Sequence, residues 1–480
     1  MTSYPRPQMR AVAGGDDSPH DSCGVIGVYA QGQEVAQVAF YGLYALQHRG
    51  QESAGIATAT GKRIHNHTSM GLVSQAFRES DLDRLEGHIA IGHTRYSTTG
   101  STQLHNAQPI MASYDGRELA LAHNGNVINA EEIRRELLAL GCSFTSGTDS
   151  EVIAQLLASA SGEGWPERVS YIMRRLRGAY SLTVLTKDTL IGIRDPHGVR
   201  PLCLGKMDGG WVIASESCAL DHLGAQYIRE LDPGEMVMVD KDGLTSIPYS
   251  GELPKPAPCV FEYIYFARAD SLLGDKLTYL TRQALGRQLA REHPAEADIV
   301  IGIPDTATAA AVGYAQEANI PYSEGLVRNR YVGRTFIQPD QRFRELGVKM
   351  KFNPLPEVIR GKRVTIVDDS IVRGTTTPHV IDMVRKAGAI EVHVRVCAPP
   401  IRFPCHFGVD MATKQELIAA NLSIDEIRQF INADSLGYLS VEGLLRTVGS
   451  SQDTFCSACF TGNYPIPVQL EMDKLTLEQP

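Results

Sequence analysis

Val364-Thr365-Ile366-Val367-Asp368-Asp369-Ser370-Ile371-Val372-Arg373-Gly374-Thr375-Thr376 is an apolar run that ends in two adjacent carboxylates and enters a hydroxyl-rich loop. A helix should follow, with Thr377 as its cap, Pro378 in its first turn and Gly388 at its end. Val380, Ile381 and Val384 would share its apolar face. Backbone N–H groups at a helix start form an anion site, and the hydroxyls of Thr375 and Thr376 add donors. Two carboxylates just upstream suit vicinal ribose hydroxyls or a hydrated Mg²⁺. The order of strand, acid pair, loop and helix predicts an α/β fold carrying a sugar-phosphate site.

Working outward, Asp298–Thr306 is a buried-type strand running into a turn, and the Ala-rich stretch 307–318 reads as a helix. With strand 363–368, helix 378–387 and strand 391–397, the pattern is βαβ with a parallel sheet. Ligands of such sheets bind beyond the carboxyl ends of the strands, where the 304–306 turn and the 368–376 loop both fall. Between them, residues 326–353 carry Arg328, Arg330, Arg334, Arg342, Arg344, Lys349 and Lys351. Scattered charge usually marks a solvated loop, but this one lies between two candidate phosphate-contacting segments.

The thirteen-residue stretch resembles the phosphoribosyl diphosphate (PRPP) motif of type I phosphoribosyltransferases. That resemblance implies that Asp368 and Asp369 take the ribose and metal side. Ser370, Ile371, Val372, Arg373, Gly374, Thr375 and Thr376 would then wrap the 5-phosphate. The 304–306 turn resembles the family's pyrophosphate loop, with Thr306 where a Ser is usual; either hydroxyl can coordinate Mg²⁺. In the same family the 328–353 segment is a lid that closes over PRPP and excludes water.

A chain of 480 residues is long enough for two or three domains, each burying its own core. The formal charge is −9 and there is no dense Lys/Arg block, which argues against nucleic acid as a partner. No apolar run approaches the ~20 residues that span a bilayer, and Met1–Ser22 lacks the apolar core of a signal peptide. The expected location is the cytoplasm, where thiols stay reduced, so each of the nine Cys calls for its own explanation.

In the first half, Cys23-Gly24-Val25-Ile26-Gly27-Val28-Tyr29 alternates like a strand and begins with a thiol. A helix should run from Val35 to about Gln47. Then come Gln47–Ile56, His93-Thr94-Arg95-Tyr96-Ser97-Thr98, His123-Asn124-Gly125-Asn126, Gly147-Thr148-Asp149-Ser150-Glu151 and Arg194–Leu202. Each is weak alone. In this order, over roughly Cys23 to Asp240, they resemble the N-terminal-nucleophile (Ntn) glutamine amidotransferase domain, an αββα fold.

The resemblance implies removal of a propeptide, residues 1–22, so that Cys23 becomes the first residue. A free α-amino group has a pKa near ~8 and can serve as general base for its own thiol. By the same likeness Asn124 and Gly125 form the oxyanion hole, Arg95 binds the glutamine α-carboxylate bidentately and Asp149 receives its α-ammonium. Tyr96, Thr98 and Gly27 would shape the pocket. Cys142, Cys203 and Cys218 match none of these motifs and read as buried apolar residues.

Cys456-Ser457-Ala458-Cys459 is a C-x-x-C, with Cys259 and Cys405 standing apart upstream. Four thiolates fit a structural Zn²⁺ or a [4Fe–4S] cluster, and spacing alone leaves both open. Their contexts, Cys259–Arg268, Pro404–Asp410 and Cys456–Gly462, resemble the iron–sulfur subclass of the amidophosphoribosyltransferase family. That likeness implies one cluster on Cys259, Cys405, Cys456 and Cys459, and leaves Cys397 as a core residue.

The two resemblances together imply residues 1–22 as propeptide, 23–253 as glutaminase domain, 254–450 as phosphoribosyltransferase domain and 451–480 as a cluster-ligand segment and tail. They imply Mg²⁺ and a [4Fe–4S] cluster, one of each per subunit. The expected partners are L-glutamine, PRPP and inhibitory purine nucleotides, in a homo-oligomer such as a tetramer. An apolar passage should carry ammonia between the sites. A hexosamine-forming amidotransferase would lack the 364–376 motif. A non-catalytic PRPP-sensing regulator would have no use for Cys23, Arg95, Asn124, Gly125 and Asp149 together.

Overall fold

The structure is a computed structural model, and it describes residues 23–96, 100–329, 351–409, 413–449, 455–468 and 476–478. Residues 24–247 form two stacked antiparallel sheets, of seven and six strands. Strand Gly24–Ala30 lies inside the first, hydrogen-bonded to Gly210–Ala214 on one side and Ile89–Arg95 on the other. Its alternation is buried on both faces. Ile26, Val28 and Ala30 pack against helices Val35–Ala45 and Ser217–His222. Val25 and Tyr29 meet Leu190, Ala122 and Val237 of the other sheet. Helices Ala130–Ala139, Asp149–Ser159 and Trp165–Arg175 cover the far side of the second sheet, completing four layers. The first helix stops at Ala45, two residues short of the expected end.

The second half carries a parallel sheet in the order Ile299–Gly302, Arg363–Asp368, Glu391–Val396, Ser435–Tyr438. Ile301 pairs with Ile366 and Gly302 with Val367, so both strands end at the same level. The Ile303 N–H then donates to Val367 O at 2.9 Å, holding the two following loops side by side. Helix Thr308–Ala318 and helix Thr377–Lys386 follow their strands as the βαβ pattern requires. The second helix begins one residue earlier than the sequence implied. Thr376 is its N-cap and already has helical dihedrals, with no side-chain cap bond. Among the described residues no helix is long and apolar enough to cross a membrane.

Candidate functional site

Cys23 directly precedes strand Gly24–Ala30 and is 6% exposed, in a small cavity it shares with Arg95, Tyr96, Gln108, His123, Gly125, Thr148, Asp149 and Ser150. Its Sγ donates to Tyr96 O at 3.2 Å and accepts from the Tyr96 N–H at 3.4 Å. Burial pushes the thiol up to about 11, against the Tyr96 N–H and the Arg95 charge, so at neutral pH it is protonated. Arg95 ends the neighbouring strand and is 2% exposed; its Nη1 donates to Ser101 O at 3.0 Å and lies 3.7 Å from Glu52. Asp149 opens helix Asp149–Ser159, capped by Thr148, and its Oδ2 accepts from the Val127 N–H at 2.9 Å. The structure thus gathers Cys23, Arg95, Tyr96, Gly125 and Asp149 from four separate segments. Thr98 lies outside the described residues.

Asn124 and Gly125 are adjacent on strand Arg117–Val127. The Asn124 side chain is fully buried, and neither its Nδ2 nor its Oδ1 has a hydrogen-bond partner. A buried, unpaired amide costs about 1–3 kcal/mol, a cost that an arriving acceptor would relieve. Gly125 has φ +149, and a Cβ there would stand 2.0 Å from Ala179 O. Gly27 lies elsewhere: its Cβ position points at Leu190 between the sheets, away from the pocket.

Sequence reading missed Gln108, His123 and Ser150 as cavity residues. Gln108 Oε1 accepts from the His123 N–H at 2.8 Å and its Nε2 donates to Ser150 Oγ at 3.0 Å. Burial lowers the His123 imidazole and holds the nearby His93 down to about 3, so both are neutral. His123 and Ser150 stood in motifs already noticed; Gln108 carries no signal beyond polarity.

In the second half, the Thr306 hydroxyl donates to Asp369 Oδ2, joining the two strand-end loops. Ser370 Oγ donates to Asp369 Oδ1 at 2.8 Å, and the Asp369 N–H to Asp368 Oδ1 at 2.9 Å. Burial raises the Asp369 carboxyl despite Thr306, Ser370, Arg282 and Lys351. Two carboxylates and a hydroxyl are the hard oxygen donors that Mg²⁺ takes, and a raised, buried carboxyl would gain from a cation. Ile371 and Val372 turn into the core instead, so only their backbone faces the loop. Gly374, at φ +73, passes Ile418, where a Cβ would stand 2.5 Å from its Cδ1. Arg373 is half-buried, Thr375 exposed and Thr376 half-buried. Of the 328–353 segment, residues 330–350 lie outside the described residues; its ends pair as Leu326–Arg328 with Phe352–Pro354. Lys351 at one end is close enough to Asp369 to lower it.

The four expected cluster cysteines converge from three segments. Cys259 and Cys456 form a parallel bridge, with the Cys456 N–H on Pro258 O at 2.9 Å. The Arg402 and Phe403 N–H groups donate to Cys459 O at 2.9 and 3.1 Å, and the Phe407 N–H to Cys405 Sγ at 3.4 Å. Burial raises the Cys459 thiol, and Cys259, Cys456 and Cys405 raise it further through their nearness. Burial likewise pushes Cys259 up to about 11, against the Arg200 charge. Among the described residues no three such groups close on a point as a single-ion cage. The buried Arg200 beside Cys259 and Cys405 keeps one guanidinium nitrogen, Nη2, without a partner. An acceptor-rich group held by these thiolates would satisfy it, so the residues fit the cluster. Cys397 is core, as are Cys203 and Cys218, but Cys142 is only half-buried at the core's edge.

The cysteine segment also touches the first half of the chain. Asn126 Nδ2 donates to His406 O at 2.9 Å, and Arg200 Nε to Phe407 O at 3.0 Å. Arg200 and Arg49 both pair with Glu262, while Arg49 also pairs with Glu216. Burial would raise Glu216, but Arg49 and His48 drive it well below the usual carboxylate range.

A family model described as "Glutamine amidotransferase domain" matches residues 93–222. The chain is similar to the amidophosphoribosyltransferase of Synechococcus elongatus, 50% identical over 470 residues covering 96% of this chain and 95% of the relative. The Mycobacterium tuberculosis amidophosphoribosyltransferase is 47% identical over 467 residues, covering 95% and 88%. A solved structure described as the allosteric regulatory enzyme of purine biosynthesis superposes with a TM-score of 0.90 at 44% identity, covering 95% of this chain and 99% of that one. The glutamine PRPP amidotransferase from B. subtilis complexed with ADP and GMP gives 0.88 at 43%, covering 94% and 99%.

Proposed function

Because the chain belongs to the amidophosphoribosyltransferase family, which makes 5-phosphoribosylamine from PRPP and glutamine as the first step of purine biosynthesis, we propose the following division of labour between its residues. After removal of residues 1–22, the α-amino group of Cys23 takes the thiol proton and Sγ attacks the glutamine amide carbon. Asn124 Nδ2 and the Gly125 N–H stabilise the oxyanion, Arg95 and Asp149 hold the amino-acid end, and Tyr96 and Thr98 complete the pocket. The C–N bond breaks as the leaving nitrogen gains the proton, so ammonia departs and a thioester remains. Water then releases glutamate. The single observation that carries this reading is the cavity that brings Cys23, Arg95, Gly125 and Asp149 together.

Ammonia crosses to the second half, where its nitrogen attacks C1 of PRPP as the bond to pyrophosphate breaks. Asp368 and Asp369 hold the ribose hydroxyls, the 370–376 loop holds the 5-phosphate and the 328–353 segment covers the site. Thr306, Asp368 and Asp369 would hold Mg²⁺, which neutralises charge on the leaving pyrophosphate. Cys259, Cys405, Cys456 and Cys459 would hold a [4Fe–4S] cluster, whose contribution is to tie the C-terminal segment to both halves. An apolar cluster of Ala179, Val199, Phe407 and Ile466 spans the two halves beside Gly125 and supports a dry route for ammonia. Purine nucleotides would inhibit at the PRPP site and at a subunit-linked neighbour, in a homo-oligomer.

Intact-mass and N-terminal analysis, with iron and acid-labile sulfide assays on the same active sample, tests the reading. Expected are an N-terminal Cys23 and about four irons per chain. An active enzyme that keeps residues 1–22 and holds no iron would overturn it.

A further inference from the structure

The last described turn of the chain, Thr476–Glu478, docks on the glutaminase half, far in sequence from everything it touches. Leu477 is 5% exposed and packs into the core beneath the six-stranded sheet. One oxygen of Glu478, Oε1, accepts three hydrogen bonds: from the Ser101 N–H at 2.8 Å, from Ser101 Oγ at 2.8 Å and from Asn106 Nδ2 at 2.7 Å. His105 stands 3.7 Å from the other oxygen. The seat has no room for another side chain. A Cβ at Gly147 would lie 2.5 Å from Glu478 Cδ, and one at Gly100, where φ is +80, 3.3 Å from Oε1.

What the carboxylate holds leads to the thiol cavity on both sides. The carbonyl of the same Ser101 accepts from Arg95 Nη1 at 3.0 Å and from Asn106 Nδ2 at 2.9 Å. The Asn106 Oδ1 accepts from the Gly147 N–H at 3.0 Å, and Gly147 leads directly into Thr148 and Asp149. Asn106 is fully buried and has these partners on both of its ends. Glu478 therefore fixes one peptide that orients Arg95 and one side chain that braces the approach to Asp149. We propose that Glu478 is a positioning residue for glutamine: the C-terminal tail sets the spacing between the cation for glutamine's carboxylate and the anion for its ammonium. The Ser101 N–H, against a small burial penalty and with Asn106 and the Ser101 hydroxyl, holds the carboxyl down to about 2, so the clamp stays charged across the working pH range.

The inference rests on the reading of Arg95 and Asp149 as the glutamine contacts. The test uses the full enzyme with Glu478→Ala, Glu478→Gln and a chain ended after residue 475. Each is assayed for PRPP amination with glutamine and, separately, with ammonium salts. For the alanine and shortened forms the KM for glutamine should rise about tenfold, with kcat within about twofold. Glu478→Gln, which keeps an acceptor without the charge, should fall between these and the parent. Ammonium-dependent activity should be unchanged in all three, which also reports that each variant has folded. An unchanged glutamine KM in every variant, or an equal loss with ammonium, would overturn the inference. Arg95→Lys serves as the control: if it leaves the glutamine KM unaltered, the underlying reading of the site fails. If it raises that KM while the Glu478 variants do not, only the role of Glu478 fails.

Discussion

Gly408 lies directly on the backbone of Gly125: a Cβ built at Gly408 would stand 2.7 Å from the Gly125 carbonyl carbon and 2.8 Å from its Cα. The residue three places after Cys405 in the phosphoribosyltransferase half thus presses on the strand that carries the proposed oxyanion donors. Its φ of +96 is one that L side chains rarely adopt. The two halves meet at the reacting centre of the first.

Gly408→Ala should therefore act on chemistry as well as on packing. Backbone must shift to admit the methyl, at a cost of about 1–3 kcal/mol. Displacing Gly125 should lower glutamine hydrolysis at least roughly tenfold, since misplacement of about 1 Å can cost far more. Urea unfolding and a glutaminase assay measure the two effects.

The thiol of Cys23 should show its burial in its pH dependence. The fold raises it from an ordinary 9.0 to about 11, so the protonated form is the one the folded state favours. That contribution to stability is complete below 9.0 and is lost as pH rises towards 11. Alkylation of Cys23 by iodoacetamide in the uncut chain should climb through the same window, followed by mass spectrometry of the modified peptide. After cleavage the reaction should already be fast near neutral pH.

At the second site, Thr306→Val removes the hydroxyl that meets Asp369, whereas Thr306→Ser keeps it. Valine should raise the KM for PRPP by about tenfold and serine by less than about threefold. Asp369→Asn should cut ammonium-dependent amination by about a hundredfold, while glutamine hydrolysis survives. Steady-state kinetics with ammonium and with glutamine separate these outcomes.

Glu262→Gln should destabilise the whole chain. The buried Arg200 would then lose the carboxylate it pairs with, and Arg49 would keep only its pairing with Glu216. Breaking a buried ion network by removing one partner costs about 3–5 kcal/mol, read as a shift of the denaturation midpoint.

Sequence made the architecture legible where period and punctuation agreed. The run 364–376 announced its strand, its loop and its helix because apolar residues, acids and Gly/Pro signals fall in fixed order. Alternation announced the strand Gly24–Ala30, but not that both of its faces would be buried. Gln108 could not be read: it reaches the thiol cavity through a turn whose path depends on the pairing of distant strands. Nor could Glu478, because a single acid near a chain end has no periodicity and its seat is built from Gly100, Ser101, Asn106 and Gly147. Ile371 and Val372 show the opposite limit, since a motif's position in the loop does not say which way each side chain turns.

The ion network has a consequence for where this polypeptide can be divided. Arg49, Arg200 and Glu216 come from the glutaminase half, and Glu262 alone comes from the other. Cut at the junction near residue 253, the first piece would retain two interior cations for one anion. Charge balance of this network is thus completed by the second piece, and fission of the gene at that point would leave it one carboxylate short until the two products meet.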